Sequence, residues 1–271
     1  MTRLPQWVAQ HLAALRVVLV LTVTVGLLYP LAMTGIAQIA FGDNADGSRL
    51  LIGQSFVDAK GDPIPKYFQS RPSAAGDGYD PTATAASNLG PESGVDSGKP
   101  SLLTQVCTRS KAVGELEGVD GSRPFCTSDG VGAVLGVYRE QGLTGKPTRV
   151  LSLNQACPST PFLATYEGVA VRCANPGDDY GAALIVPIRG DAPARPKVPA
   201  DAVTASAGGL DPQISPAYAD LQVPRVARER GLSPDRVRAL VQQNTTGRAL
   251  GFLGEPGVNV LALNLALDRE S

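Results

Sequence analysis

Hydrophobic and polar positions divide the chain into a long apolar block, a middle rich in turns, and a C-terminal stretch with helical periodicity. Val17–Ala37, VVLVLTVTVGLLYPLAMTGIA, runs 21 residues without a charge, and the next charge is Asp43. As a helix at about 1.5 Å per residue the run spans roughly 31 Å, close to the ~30 Å of a bilayer core. It predicts a transmembrane helix over 17–40. Pro30 falls inside it, which a membrane helix tolerates where neighbouring groups re-satisfy the freed carbonyl. A secretory signal would need a shorter apolar stretch and a small-x-small cleavage site. TGIAQIAF offers no good one, so the helix reads as an uncleaved anchor. Arg3 and Arg16 flank its start with no acid before them. The positive-inside rule then places residues 1–16 in the cytoplasm and the remaining chain outside.

Beyond the block, residues 41–100 form the first part of a soluble domain. Turn signals recur there at Asp62-Pro63, Arg71-Pro72, Asp80-Pro81 and Gly90-Pro91, with a short strand expected at LLIGQSF, Leu50–Phe56. Residues 101–197 hold all four cysteines, and a buried strand is expected at YGAALIVPI, Tyr180–Ile188. Residues 198–271 carry the clearest pattern, predicting helix, helix and strand. Ser215 caps, Pro216 takes the first helical position, Ala219, Val223, Val226 and Ala227 form an apolar stripe, and Gly231 ends the helix. Pro224 predicts a kink or restart within it. The device repeats with Ser233, Pro234 and a stripe of Val237, Leu240 and Val241. VNVLALNLAL, Val258–Leu267, is apolar on both faces and reads as a buried strand. Before the first helix, GGLDPQISP clusters residues that restrict or free the backbone. It reads as a built loop that sets the entry angle of the helix carrying Gln222 and Arg225, so that these two are presented rather than buried.

Composition narrows the chemistry. Gly (30) and Pro (22) are abundant in 271 residues, so loops take up much of the chain. A net charge of −1 shows no nucleic-acid footprint. The sole histidine, His11, precedes the apolar block, which leaves no Ser-His-Asp or Cys-His set for the soluble part, and no Ser-x-x-Lys occurs. GLTGKPT, Gly142–Thr148, has Pro147 in the Ser/Thr place of a phosphate loop and reads as a turn. Neither a catalytic residue nor a metal site is expected. The even cysteine count in an extracytoplasmic domain reads as disulfides. Three pairings are possible; the sequential one, Cys107–Cys126 and Cys157–Cys173, closes the shortest loops and is the expected one. The fold class expected is mixed α/β: a single N-terminal transmembrane helix followed by an extracytoplasmic α+β domain with a disulfide-bearing insertion.

Several stretches carry a family resemblance. YPL and GIAQ in the anchor, GSRLLIGQSF, YFQSRPSAA, YDPTATAASNLGP, the run from Val198 to Val241, and LGFLGEPGVNVLALNLALD resemble, in order, the C subunit of the bacterial Kdp potassium-transporting P-type ATPase. The resemblance covers residues 20–100 and 198–268. Between them the family uses a much shorter connection, so most of 101–197 reads as an insertion. Smaller departures are Gln213, where the family favours His or Asn, and TAAS, Thr84–Ser87, in place of a glycine-rich run.

The resemblance implies a non-catalytic subunit working beside a potassium-channel-like subunit, a catalytic pump subunit and a small fourth subunit. It implies two roles: assembly of the complex, and a catalytic chaperone that raises the pump's ATP affinity in a transient complex, with no tightly bound cofactor. An outward-facing domain conflicts with direct contact to cytosolic ATP. Gln222 and Arg225 are the candidate partner or nucleotide contacts. Tyr29, Pro30 and Gln38 lie in the family-like part of the anchor and are its candidate packing face. The alternative is a membrane-anchored extracytoplasmic binding module unrelated to transport.

Overall fold

The computed structural model describes residues 5–45, 53–76, 78–79, 83, 90, 94–175, 177 and 179–270, without the side chains of 40–45. The expected turns at Asp80-Pro81 and Gly90-Pro91, the start of the Leu50–Phe56 strand and the TAAS departure lie outside the described residues. The chain separates into two compact units, Met1–Leu51 and Ile52–Ser271.

The first unit is one continuous helical rod: α1 (Gln6–Val23), a π-helical segment (Thr24–Leu28) and α2 (Tyr29–Ala45). It starts well before the apolar run. Pro30 has no N–H to donate to Gly26, and its ring would crowd that carbonyl in a regular α-helix. The wider π turn directly before it absorbs the mismatch without breaking the rod. The span Gln6–Ile39 is long and apolar enough to cross a membrane.

Among its described residues the second unit holds two sheets. The smaller is three-stranded and antiparallel, in the order β6 (Gln213–Ile214), β8 (Gly257–Asn259), β7 (Thr245–Thr246). Helices α4 (Pro216–Arg230), α5 (Pro234–Gln243) and α6 (Val260–Asp268) pack with it around Phe68, Ile214, Val223, Val226, Leu263 and Leu267. The caps of α4 and α5 are formed as expected: Ser215 Oγ accepts from Tyr218 N at 3.1 Å and Ser233 Oγ from Arg236 N at 3.2 Å. Gly231 closes α4 in the left-handed region at φ 64°.

Two expectations are corrected here. Pro224 does not split α4, which runs through it; the proline faces solvent, where the carbonyl it leaves free can reach water. The strand expected over Val258–Leu267 stops at Asn259. Its side chain accepts from Ala262 N at 2.8 Å and starts α6, and the Leu- and Ala-rich remainder then follows helix propensity. Val260, Leu263, Asn264 and Leu267 are buried at helical spacing, a stripe masked by the apolar residues between them.

Helix α3 (Leu102–Glu117) precedes the larger sheet, ordered β3 (Thr165–Tyr166), β4 (Val169–Ala174), β2 (Thr144–Ala156), β1 (Val134–Gln141), β5 (Leu184–Pro187). β1 and β2 form a long antiparallel hairpin, while β2 and β4 run parallel with Val150 opposite Val171. Leu135, Val137 and Val150 pack in one cluster and Val134, Leu151 and Leu153 in another, as strand alternation requires. The strand expected at Tyr180–Ile188 shrinks to β5. It is a half-buried edge strand rather than a buried one, since only β1 flanks it. Both disulfides pair as expected, with Cα separations of 5.4 Å for Cys107–Cys126 and 5.1 Å for Cys157–Cys173. The first ties α3 to the approach to β1, and the second ties the end of β2 to β4. The expected strand at Leu50–Phe56 is not formed over Gly53–Phe56; Val57 makes one isolated bridge with Pro63 instead.

Candidate functional site

After an exposed turn at Pro65 and Lys66 the chain enters the core at Phe68 and Gln69, which are buried outside both sheets, so their backbone groups need partners from side chains. Asn264 supplies two. Its Oδ1 accepts from Phe68 N at 2.9 Å and its Nδ2 donates to Phe68 O at 3.0 Å. Gln222 repeats the pairing one residue on, accepting from Gln69 N at 2.6 Å and donating to Gln69 O at 3.1 Å. Two side-chain amides thus do the work of a neighbouring strand, and Phe68 between them is fully buried.

Arg225 completes the arrangement. Nη1 donates to Tyr67 O at 2.9 Å and also to Pro65 O, and Nη2 donates to Gln222 Oε1 at 3.0 Å. Nε reaches both carboxylate oxygens of Glu117, at 3.1 and 3.0 Å. The Arg225 and Glu117 side chains are 2% and 0% exposed. Burial pushes the Glu117 carboxyl above its ordinary value, against the pull of Arg225's hydrogen bonds and charge. The expectation that Gln222 and Arg225 are presented is therefore overturned. α4 turns both inward, and every polar atom they own is spent on the core. Glu117 carried no sequence signal; Asn264, a lone polar residue in an apolar run, did.

The loop before α4 is built as expected, by close packing. Gly53 N donates to Leu210 O at 3.0 Å, and a Cβ on Gly53 would lie 2.5 Å from Asp211 O. Gly209 sits at φ +62°, where a Cβ would meet Ser73 Oγ at 2.4 Å and the Tyr79 backbone at 2.7 Å. Arg71 pairs with Asp211 at 2.7 Å, and Tyr79 OH donates to Arg71 O. Burial pushes the Tyr79 phenol up to about 12. Asp201 holds the Ser215 cap from below, accepting from its N at 2.7 Å and its Oγ at 2.9 Å. The loop fixes where α4 begins.

In the helical rod, Tyr29, Pro30 and Gln38 are all exposed. At about 100° per residue, Gln38 lies about 80° around the helix from Pro30 but about 180° from Tyr29. The three do not form one face.

The family model described as K+-transporting ATPase, c chain, matches residues 11–123 and 183–269. The rod from His11 onward and the core around Phe68 fall inside the match. Residues 124–182 lie between the matched stretches, so β1 to β4 are outside it and α3 is inside it. Among similar proteins is a potassium-transporting ATPase KdpC subunit of Mycobacterium tuberculosis (strain ATCC 25618 / H37Rv). It is 36% identical over 270 residues, covering 96% of this chain and 98% of the relative. KdpC subunits of Beijerinckia indica subsp. indica and Kineococcus radiotolerans are 36% and 37% identical, each alignment covering at least 95% of this chain and 92% of the relative. With its anchor-length helix and its core both inside the matched stretches, the chain belongs to the KdpC family, the c chain of K+-transporting ATPases.

Proposed function

We propose that the chain is the non-catalytic subunit that assembles and stabilises a high-affinity, ATP-driven potassium uptake complex. The observation that carries this reading is the family match, which takes in the apolar helix and the whole polar-braced core together. The Gln6–Ile39 helix serves as the anchor, with Arg3 and Arg16 on the cytoplasmic side. The remaining domain faces outward, a placement favoured by two disulfides and no free cysteine. Its partners are the channel-like, pump and small fourth subunits that the family resemblance implies. Of the anchor's candidate contacts, the side bearing Pro30 and Gln38 is the one we assign to packing. Any rise in the pump's ATP affinity is transmitted through assembly, because Gln222 and Arg225 have no polar atom left for a nucleotide.

Purification of the full chain from native membranes in mild detergent tests the reading, with its companions identified by mass. Recovery of the other ATPase subunits is expected, and recovery of the chain alone would overturn it. Protease added to intact spheroplasts should remove the domain; a protected domain would reverse the topology.

A further inference from the structure

The loop between β7 and β8 carries the two most exposed large apolar side chains among the described residues outside the helical rod, Leu250 at 83% and Phe252 at 72%. Leu253 beside them is 51% exposed. The loop is not loose. Ala249 and Leu253 exchange backbone hydrogen bonds of 2.9 Å in both directions. Arg248 closes the base, pairing with Glu255 at 2.6 Å and donating to Gly254 O at 3.1 Å. Leu250 sits at φ +54° and Gly251 at φ +81°. The left-handed region costs a residue with a Cβ, and Gly or Asn would adopt it more easily. The tip therefore holds a leucine in a strained turn and in water at once. Strain of this kind gathers where a shape is needed, and clustered exposed apolar groups mark a contact surface.

The charges around the tip decide between occupants. Adsorption to a lipid surface draws on unpaired cations beside the apolar group. Here Arg248, the one cation of residues 245–257, is matched by Glu255, the one acid there, so the loop itself carries no net charge. A charge-balanced loop presenting apolar side chains fits a desolvated protein contact, where an anchor enters a recess and no unpaired charge is buried. We propose that Leu250, Phe252 and Leu253 form an anchor that inserts into an apolar recess on another subunit of the transport complex. The inference rests on the assembly role proposed above. Three side chains are few beside the ~20–30 residues a side of a standard interface, so the tip anchors a broader contact.

The test uses the full chain expressed with its complex in native membranes. A photo-crosslinking benzoylphenylalanine replaces Phe252, and adducts are identified by mass. An adduct with another subunit of the ATPase is expected. Adducts with lipid alone, or only with a second copy of this chain, would overturn the proposal. In parallel, Leu250→Ser with Phe252→Ser should weaken retention of the other subunits about tenfold or more. Leu143→Ser, at another exposed apolar position (64%), should not. Retention of the double variant at wild-type level, with no adduct from position 252, would sink the anchor while leaving the assembly role standing. A wild-type chain that purifies alone would remove both.

Discussion

The core around Phe68 and the β1–β4 sheet solve the same problem, satisfying buried backbone, by opposite means. In the sheet, strands close in sequence pair with one another, and covalent links span separations of only 19 and 16 residues. In the core, Phe68 and Gln69, which belong to neither sheet, are held by Asn264 and Gln222, 196 and 153 residues away. Regular pairing spreads the stabilisation over many equivalent bonds. The side-chain bracing concentrates it in a few groups, each of which leaves a buried donor or acceptor orphaned when it is removed. The two regions should therefore fail differently: the sheet gradually and locally, the core at single positions. The family model divides at the same place, matching the braced core and passing over β1–β4.

The sharpest break in this comparison would come from Arg225→Met. It strands the fully buried Glu117 carboxylate and frees the Pro65 and Tyr67 carbonyls, and a loss of about 3–5 kcal/mol is expected. Urea unfolding reads it, and a wild-type midpoint would mean the network is not what holds the core. Next, replacing Cys157 and Cys173 together by Ser should cost about 3 kcal/mol through the loop of 16 residues it opens. The loss should be local: hydrogen exchange should quicken in β2 and β4 while α4 and α6 keep their protection. Equal quickening in both regions would show that they unfold as one.

Gln222→Ala should cost about 1–3 kcal/mol, because Gln69 loses partners for both its N–H and its C=O. Thermal unfolding checks it; an unchanged melting temperature would return the residue to the list of functional contacts. A smaller effect concerns pH. Burial raises the Tyr79 phenol from its ordinary 10.0 to about 12 and raises Tyr218 in the same direction. Folded chains hold these protons more tightly than unfolded ones, so this contribution is complete below pH 10 and is lost as pH rises through about 12. Stability measured from pH 9 upward should fall, and less steeply in Tyr79→Phe; identical slopes would remove Tyr79 from the account. The smallest effect is expected from cutting out the sheet. Phe125 N and Arg189 O are 2.9 Å apart, so a short glycine-serine linker can replace residues 126–188, with Cys107→Ser. Assembly should survive, and its loss would place the sheet in the subunit contact.

What could be read without coordinates was local. The apolar run, the Ser-Pro caps at residues 215–216 and 233–234 and the glycine stop at 231 each depend on chemistry within a few residues, and each is formed; the loop at 208–216 was legible as a built one, but Gly53, Arg71, Ser73 and Tyr79, which hold it, were not. The disulfides also paired by the shortest loops. The start of α6 was nearly legible, since Asn259 is a good cap, but an apolar sequence on all sides hides which period governs it. The burial of Gln222 and Arg225 was not legible at all. A glutamine and an arginine on a helix point outward by default, because an isolated polar group loses free energy when it leaves water. Only the tertiary structure supplies what reverses that cost, by bringing the Pro65 and Tyr67 carbonyls, the Gln69 backbone and the carboxylate of Glu117 against α4. Partners more than a hundred residues away leave no mark on the sequence around them, and so the same residues that look presented in the chain become the bracing of its core.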